Sequence, residues 1–281
     1  MNTIDKMDKK FFKDDVEKSG GIMLLDNRYI AILWTSEDGE SSHWDYSDIL
    51  EAEAREWAVG SDWRALAFIE EQTEEMCIEA VAQCPAALEF VKEQTEEICL
   101  MAVEKDGQAL RFVKEQTTAI CLEAVYQDGW ALEYVKEQTP EICLAAVKQD
   151  GQALQFVKEQ TLEICLAAVE QDRRALQFVK EQTEEICLAA VEHDEWALEF
   201  VKEQTVRICL VAVRINGFVL EAVKEQTEEI CLAAIGQCPW ALKYVKEQTP
   251  EMCTKAVEQC PAALEYVTNV TEELLRLASA K

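Results

Sequence analysis

TPEICLAAVKQDGQALQFVKEQ, residues 139–160, is the segment that decides the fold, because close copies of it fill most of the 281-residue chain. Its first residue recurs every 22 residues. The threonines at this spacing are Thr73, Thr95, Thr117, Thr139, Thr161, Thr183, Thr205, Thr227, Thr249 and Thr271. A fixed period of this length is typical of a solenoid or array of stacked repeats. Such arrays usually form binding surfaces, so the period favours binding over catalysis.

The first half of the repeat has the pattern of a short α-helix. Thr139 is a preferred N-cap residue, and Pro140 is favoured at the first helical position. An apolar stripe at i, i+1, i+4 and i+5 follows, which marks one buried face. It consists of Ile142, Cys143, Ala146 and Val147. The pattern predicts a helix that starts after each threonine.

The second half opens with Asp150 and Gly151, a cap and turn signal, and continues with a second apolar stripe. Other copies have proline at the position of Gly151, namely Pro85, Pro239 and Pro261. Proline removes a helical hydrogen bond, so the two halves cannot form one long coiled coil. We therefore predict an αα-hairpin of two α-helices of about 8–10 residues each, which depend on stacking for stability.

The period divides the chain into a head, residues 1–50, and an array, residues 51–281. We predict a degenerate capping repeat at 51–72, nine repeats at 73–270 and a C-terminal capping helix at 271–281, since terminal repeats carry polar outer positions. In the head, residues 22–25 and 29–34 flank a turn and predict a β-hairpin, with a third short strand at 43–46. The fold class is mainly α: an α-solenoid with a small β-hairpin head, which is a candidate homodimer contact.

The net charge limits the kinds of partner that the protein can bind. The formal net charge of −28 disfavours direct binding to nucleic acid or to anionic membranes. This charge fits either a solvated face or a basic partner. The N-terminal residues lack the apolar core of a secretory signal, and no stretch is long enough to span a membrane.

Nine cysteines recur four residues after a repeat threonine, too far apart for disulfides in stacked helices. We expect buried thiols and a cytoplasmic location.

The motif Ala145-Ala-Val147 followed by Gly151-Gln-Ala-Leu154, with its copies, resembles an uncharacterised family of short αα-hairpin repeats. The resemblance covers residues 51–281. It implies a helical repeat fold and no catalytic residues.

A search for catalytic or metal-binding motifs gives no site. The chain has two histidines, His43 and His193, and neither belongs to a triad or a phosphate-binding loop. Cysteines seven residues apart, such as Cys231 and Cys238, leave a zinc site as an alternative to plain thiols. We expect no enzyme activity, no cofactor and no metal. A catalytic site, if present, would lie in the head around His43, Trp44 and Asp45.

Positions that vary between copies are the candidates for recognition. The residue thirteen after the threonine is aromatic in four repeats: Trp130, Trp196, Phe218 and Trp240. These rings are either anchors for a partner or covers for the next repeat. Tyr126 and Arg214 occupy a second variable position, nine after the threonine. The repeat starting at Thr205 is unusual because it carries Arg207 and Arg214 in an acidic array.

The leading hypothesis is a non-enzymatic acidic scaffold that binds a protein partner with a basic surface. The alternative is a nucleic-acid mimic that inhibits a DNA- or RNA-binding protein of a defence or restriction system. An enzyme with its site in the head is the third hypothesis.

Overall fold

The computed structural model describes residues 21–25, 28–32, 55–56, 59–60 and 62–279. Strands β1 (Gly21–Leu25) and β2 (Arg28–Ile32) pair antiparallel, with Gly21 opposite Ile32. The remainder of the predicted head lies outside the described residues. This includes the third strand and the hypothetical catalytic group at His43. A head domain over residues 1–50 therefore stays a prediction.

From residue 62 onward the described chain is helical, and α-helices alternate with short 3₁₀-helices. The α-helices are α1 (Glu74–Gln83), α2 (Glu96–Lys105), α3 (Thr118–Gln127), α4 (Pro140–Gln149), α5 (Leu162–Gln171), α6 (Glu184–His193), α7 (Val206–Ile215), α8 (Glu228–Gln237), α9 (Pro250–Gln259) and α10 (Glu272–Ser279). The 3₁₀-helices are η1 (Trp63–Phe68), η2 (Pro85–Phe90), η3 (Gly107–Phe112), η4 (Gly129–Tyr134), η5 (Gly151–Phe156), η6 (Arg173–Phe178), η7 (Glu195–Phe200), η8 (Gly217–Ala222), η9 (Pro239–Tyr244) and η10 (Pro261–Tyr266). A mainly helical repeat is thus confirmed.

The second element of each repeat differs from the prediction. We expected a second α-helix of about 8–10 residues, but the structure has a 3₁₀-helix of six residues. In η5 the chain is already extended at Val157, with φ −70° and ψ 118°. The Val157 N–H donates to the carbonyl of Leu154, the i to i+3 pattern of a 3₁₀-helix. The prediction of two α-helices per repeat is therefore wrong.

The α-helices begin where the threonines predict. In α5 the Thr161 hydroxyl accepts a hydrogen bond from the Ile164 N–H at 3.3 Å, which caps the first turn. The buried face of this helix consists of Ile164, Cys165, Ala168 and Val169. Ala168 and Val169 are fully buried, so the helix lies close against the rest of its repeat.

The chain divides into two compact units, Met1–Ile120 and Cys121–Lys281. In the second unit α-helices contact α-helices and 3₁₀-helices contact 3₁₀-helices, while the two kinds also contact each other. The core lies between these two layers. Ala175 and Leu176 of η6 are fully buried there. Among the described residues the buried side chains are apolar, so stacking of adjacent repeats supplies the stability.

The glutamine that precedes each threonine joins two repeats. The Gln160 amide nitrogen donates to the Leu154 carbonyl of its own repeat at 3.4 Å and to the Phe178 carbonyl of the next at 3.0 Å. Its amide oxygen accepts from the Lys180 N–H at 2.9 Å. The Cys165 thiol also lies 3.9 Å from this oxygen. One side chain therefore satisfies three main-chain groups across a repeat junction.

The same pair of contacts, to a carbonyl 18 residues ahead and an N–H 20 residues ahead, recurs in both units. In the first unit it is made by Gln72 and Gln94. In the second unit it is made by Gln138, Gln160, Gln182, Gln204, Gln226 and Gln248.

These glutamines account for the short second helix. A longer helix would use the carbonyls of Leu154 and Phe156 and the Lys158 N–H within its own backbone. In the structure Gln138 bonds both Phe156 and Lys158, and Gln160 bonds Leu154. These side chains supply partners for main-chain groups at the end of the six-residue segment, where helical bonds stop.

Lysine side chains and glycine N–H groups also form hydrogen bonds between adjacent repeats. The Lys180 ammonium donates to the carbonyls of Val157 and Lys158 in the preceding repeat, at 3.3 and 2.6 Å. The Gly129 N–H donates to the Gln149 side chain at 2.8 Å. A Cβ at Gly129 would lie 2.7 Å from the Ala146 carbonyl oxygen, so this contact needs glycine or a shift of the neighbouring helix.

Replacement of Gln160 tests the importance of the junction. We expect Gln160→Met to destabilise the protein by about 2–4 kcal/mol, because it removes the bonds that Gln160 makes to the Phe178 carbonyl and the Lys180 N–H, at about 1–3 kcal/mol for each group left without a partner. The measurement is the urea midpoint followed by circular dichroism. Gln155→Met is the matched control, since Gln155 is exposed in the same repeat. Equal shifts for the two variants would contradict the role of the glutamine.

Candidate functional site

The residues that the sequence proposed for recognition lie on two different kinds of element. Those on the 3₁₀-helices η4, η7, η8 and η9 are Trp130, Trp196, Phe218 and Trp240. Those on the α-helices α3 and α7 are Tyr126, Arg207 and Arg214. The structure therefore does not group them into one site, and the two sets are considered separately.

Trp130 covers the next repeat. Its indole N–H donates to the Asp150 carboxylate at 2.8 Å, and its ring meets Phe156 edge-on with centroids 5.4 Å apart. Gln152, at the same position one repeat later, donates to Asp172 at 2.9 Å. The shared hydrogen bond explains how one position accepts both tryptophan and glutamine. With 39% of Trp130 exposed, part of the ring still faces solvent.

The other aromatic residues at this position also pack edge-on against a ring of the next repeat, where that repeat supplies one. Phe218 meets Tyr244 with centroids 6.2 Å apart, and Trp240 meets Tyr266 at 5.7 Å. Trp196 is half-buried, and the residue at the matching position ahead of it is Ala222. These contacts support the interpretation that the rings cover the next repeat.

Arg207 and Arg214 differ in their surroundings. The Arg207 guanidinium pairs with Glu184 of the preceding repeat at 3.3 Å, so part of its charge is matched within the chain. Arg214 is exposed near the end of α7. Tyr126 is 59% exposed at the end of α3, the most exposed large apolar side chain among the described residues. Within the described residues, the α-helices thus present side chains that face solvent.

The outward side of the α-helices in the second unit carries an apolar row that sequence reasoning missed. We call it the leucine row: the half-buried leucines that stand five residues after six successive threonines, Leu122, Leu144, Leu166, Leu188, Leu210 and Leu232. Its signal in the sequence was a leucine that recurs outside the buried stripe in successive copies.

Two exposed borders flank the leucine row. The first, which we call the glutamate row, consists of Glu141, Glu163, Glu185, Glu229 and Glu251, two residues after the threonine. Arg207 holds the corresponding position in α7. The second border varies and consists of Tyr126, Lys148, Glu170, Glu192, Arg214 and Gly236. Residues three and four apart share a helix face, so the row and its borders form one surface.

A groove of about 630 Å³ lies on this surface beside α4. It is lined by Tyr126, Glu141, Leu144, Ala145, Lys148 and Gln149. Its floor is apolar, and Glu141 and Lys148 stand at opposite ends of the α4 face. The arrangement offers apolar contact with charged groups at the margins, which suits binding of a chain segment.

The cysteines fall into two classes. Nine are buried, and burial raises the pKa of thiols such as Cys143, Cys165 and Cys187 above the ordinary value. The other three, which are half-buried, precede a proline at the start of a 3₁₀-helix: Cys84, Cys238 and Cys260. Within the described residues, no group of three histidine, cysteine or acidic side chains is placed to hold a metal ion.

Comparison with known protein families gives a match. A family model described as Domain of unknown function (DUF4116) matches residues 95–139, 118–162 and 139–183. The first and third windows each run from one repeat threonine to the second threonine beyond it, so the family's unit corresponds to two repeats of this chain. The resemblance to an uncharacterised repeat family is confirmed over these residues. No curated protein and no solved structure matches the chain.

No helix in the described part of the chain has the length and apolar character needed to cross a bilayer.

Thiol accessibility gives a test of the two cysteine classes. We expect three of the twelve thiols, Cys84, Cys238 and Cys260, to react quickly with a disulfide reagent at neutral pH. The nine buried thiols should react slowly, because burial both shields them and disfavours the reactive thiolate. Absorbance of the released chromophore counts the thiols, and denatured protein supplies the full count. Rapid reaction of all twelve in the native protein would contradict the packing described above.

Proposed function

We propose that this chain is a non-enzymatic repeat scaffold that binds a protein partner with a basic surface, and that the glutamate row is its main contact. The observation that carries the proposal is the row itself. Equivalent exposed carboxylates stand on the first turns of α4, α5, α6, α8 and α9. A repeated array of like charges on one face attracts a partner of opposite charge and steers its approach.

The charge balance of the array supports a basic partner. Residues 51–281 hold 44 aspartates and glutamates against 21 lysines and arginines. Several lysines direct their ammonium groups to main-chain carbonyls, as Lys202 does to Val179 at 3.0 Å and Lys224 to Val201 at 2.8 Å. These lysines serve the junctions between repeats, and the glutamate row lies on the other layer, at the starts of the α-helices.

The aromatic residues of the 3₁₀-helices support the choice of the α-helical face. Trp130, Phe218 and Trp240 pack their rings on the next repeat, which reduces the surface they offer to a partner. The leucine row and its borders have no such cover from the described chain. We propose a reducing, cytoplasmic setting for this interaction, since the twelve described cysteines are free.

Paired charge reversals test the glutamate row. Glu163→Lys with Glu185→Lys should weaken capture of basic proteins about tenfold, because two contacts of about 0.2–1 kcal/mol each become repulsive. Glu159→Lys with Glu181→Lys is the matched control, since it changes the net charge equally at exposed positions off the row. Immobilised protein is incubated with cell extract at low and high salt, and the captured proteins are identified and quantified by mass spectrometry.

The outcomes separate the hypotheses. Equal loss in both double variants would show that net charge alone matters and would overturn the role of the row. Recovery of nucleic-acid-binding enzymes that salt and added DNA displace would favour the mimic instead. A captured protein that resists DNA competition and depends on the row supports the scaffold.

A further inference from the structure

We infer that the leucine row is a docking groove for an extended segment of the partner that carries lysine or arginine at every third residue. This inference rests on the proposed function and specifies the bound part of the partner: its conformation and its pattern of charge.

The groove has an apolar floor that the described chain leaves partly exposed. Leu144, Leu166 and Leu188 are half-buried, although neighbouring helices and the 3₁₀ layer already contact their helices on the other sides. Beside α4 the floor deepens into the groove of about 630 Å³ lined by Leu144, Ala145 and Tyr126. A contiguous apolar strip bordered by polar residues is the usual form of an interaction surface.

The charges beside this floor select a basic occupant. Glu163 stands three residues before Leu166, and Glu185 three before Leu188, so each carboxylate lies next to a leucine on the same helix face. An occupant must therefore place cationic groups along one edge and apolar groups over the floor. Such a segment is amphipathic along its length.

The spacing of the helices favours a bound segment in an extended conformation. Packed α-helices lie about 8–10 Å apart, so the leucines and the glutamates recur at about that distance from one repeat to the next. A polyproline II segment has three residues per turn and a rise of about 3.1 Å, which gives about 9 Å per turn. One turn of the occupant therefore matches one repeat of the groove. An α-helix repeats every 5.4 Å and a β-strand about every 7 Å, and neither stays in register.

The second border, which varies between repeats, determines the position of the bound segment along the groove. Helices α5 and α6 carry glutamate on both borders, with Glu170 and Glu192 on the second. On either side of them, α4 carries Lys148 and α7 carries Arg207 and Arg214. Because like charges repel, the basic residues of the segment are placed opposite α5 and α6. The two arginines in an acidic array thus set the register of the partner.

Labelled peptides of about 6 residues, two turns of polyproline II to match α5 and α6, test the inference with the full-length protein. The in-register peptide repeats Lys-Leu-Pro, and the control has the same composition with its lysines in one block. We expect the in-register peptide to bind at least about tenfold tighter by fluorescence anisotropy, since only its charges and apolar groups match the groove together.

Variants locate the binding on the protein. Leu166→Gln with Leu188→Gln should weaken the in-register peptide about fivefold or more, as removal of interface anchors does. Val270→Gln is the matched control, because Val270 is 49% exposed and lies between η10 and α10, away from the row. Glu170→Gln with Glu192→Gln changes only exposed side chains and should weaken the same peptide about threefold, within the range for surface ion pairs. Circular dichroism checks that each variant is folded.

Three results would overturn the inference: equal affinity for the two peptides, equal loss in Val270→Gln and in the leucine-row variant, or no binding of the in-register peptide. If any of them occurs while a captured basic protein still depends on Glu163 and Glu185, the proposed function stands without this groove. If binding of the peptides and of basic proteins is independent of these glutamates, both the proposed function and this inference are wrong.

Discussion

The rest of the structure depends on one side-chain amide that satisfies main-chain groups of two repeats. Gln160 bonds a carbonyl of its own repeat and both a carbonyl and an N–H of the next. Buried peptide groups need such partners, and their absence costs more than a typical hydrogen bond contributes. The glutamine therefore fixes where the second helix ends and how the next repeat is placed.

This bond also restricts the length of the repeat. The groups that each glutamine reaches lie 18 and 20 residues ahead in both compact units, so a single insertion or deletion within that span would remove one partner. The lysine that follows adds a second tie to the preceding repeat, as Lys224 does to Val201 and Lys202. The positions nine and thirteen after the threonine vary between copies.

Sequence alone predicted the threonine caps, the buried stripe such as Ile164 and Cys165, and the free cysteines, because these follow from local periodicity. It did not predict the 3₁₀-helices, since the Ala-Leu-x-Phe-Val pattern fits either helix type and the deciding bonds come from Gln138 and Gln160 outside the segment. The contact of Trp130 with Asp150 was also hidden, because the partner is 20 residues away. The leucine row appears only when the packed layers show which side of each α-helix remains partly exposed.

A junction built from one repeated amide has a consequence for how such a chain changes over generations. Duplication or loss of a whole 22-residue segment leaves every remaining junction with the same donors and acceptors. Each added segment also supplies one more leucine with its flanking glutamate. Proteins of this design can therefore lengthen or shorten their contact surface in whole steps, without any new chemistry for the fold.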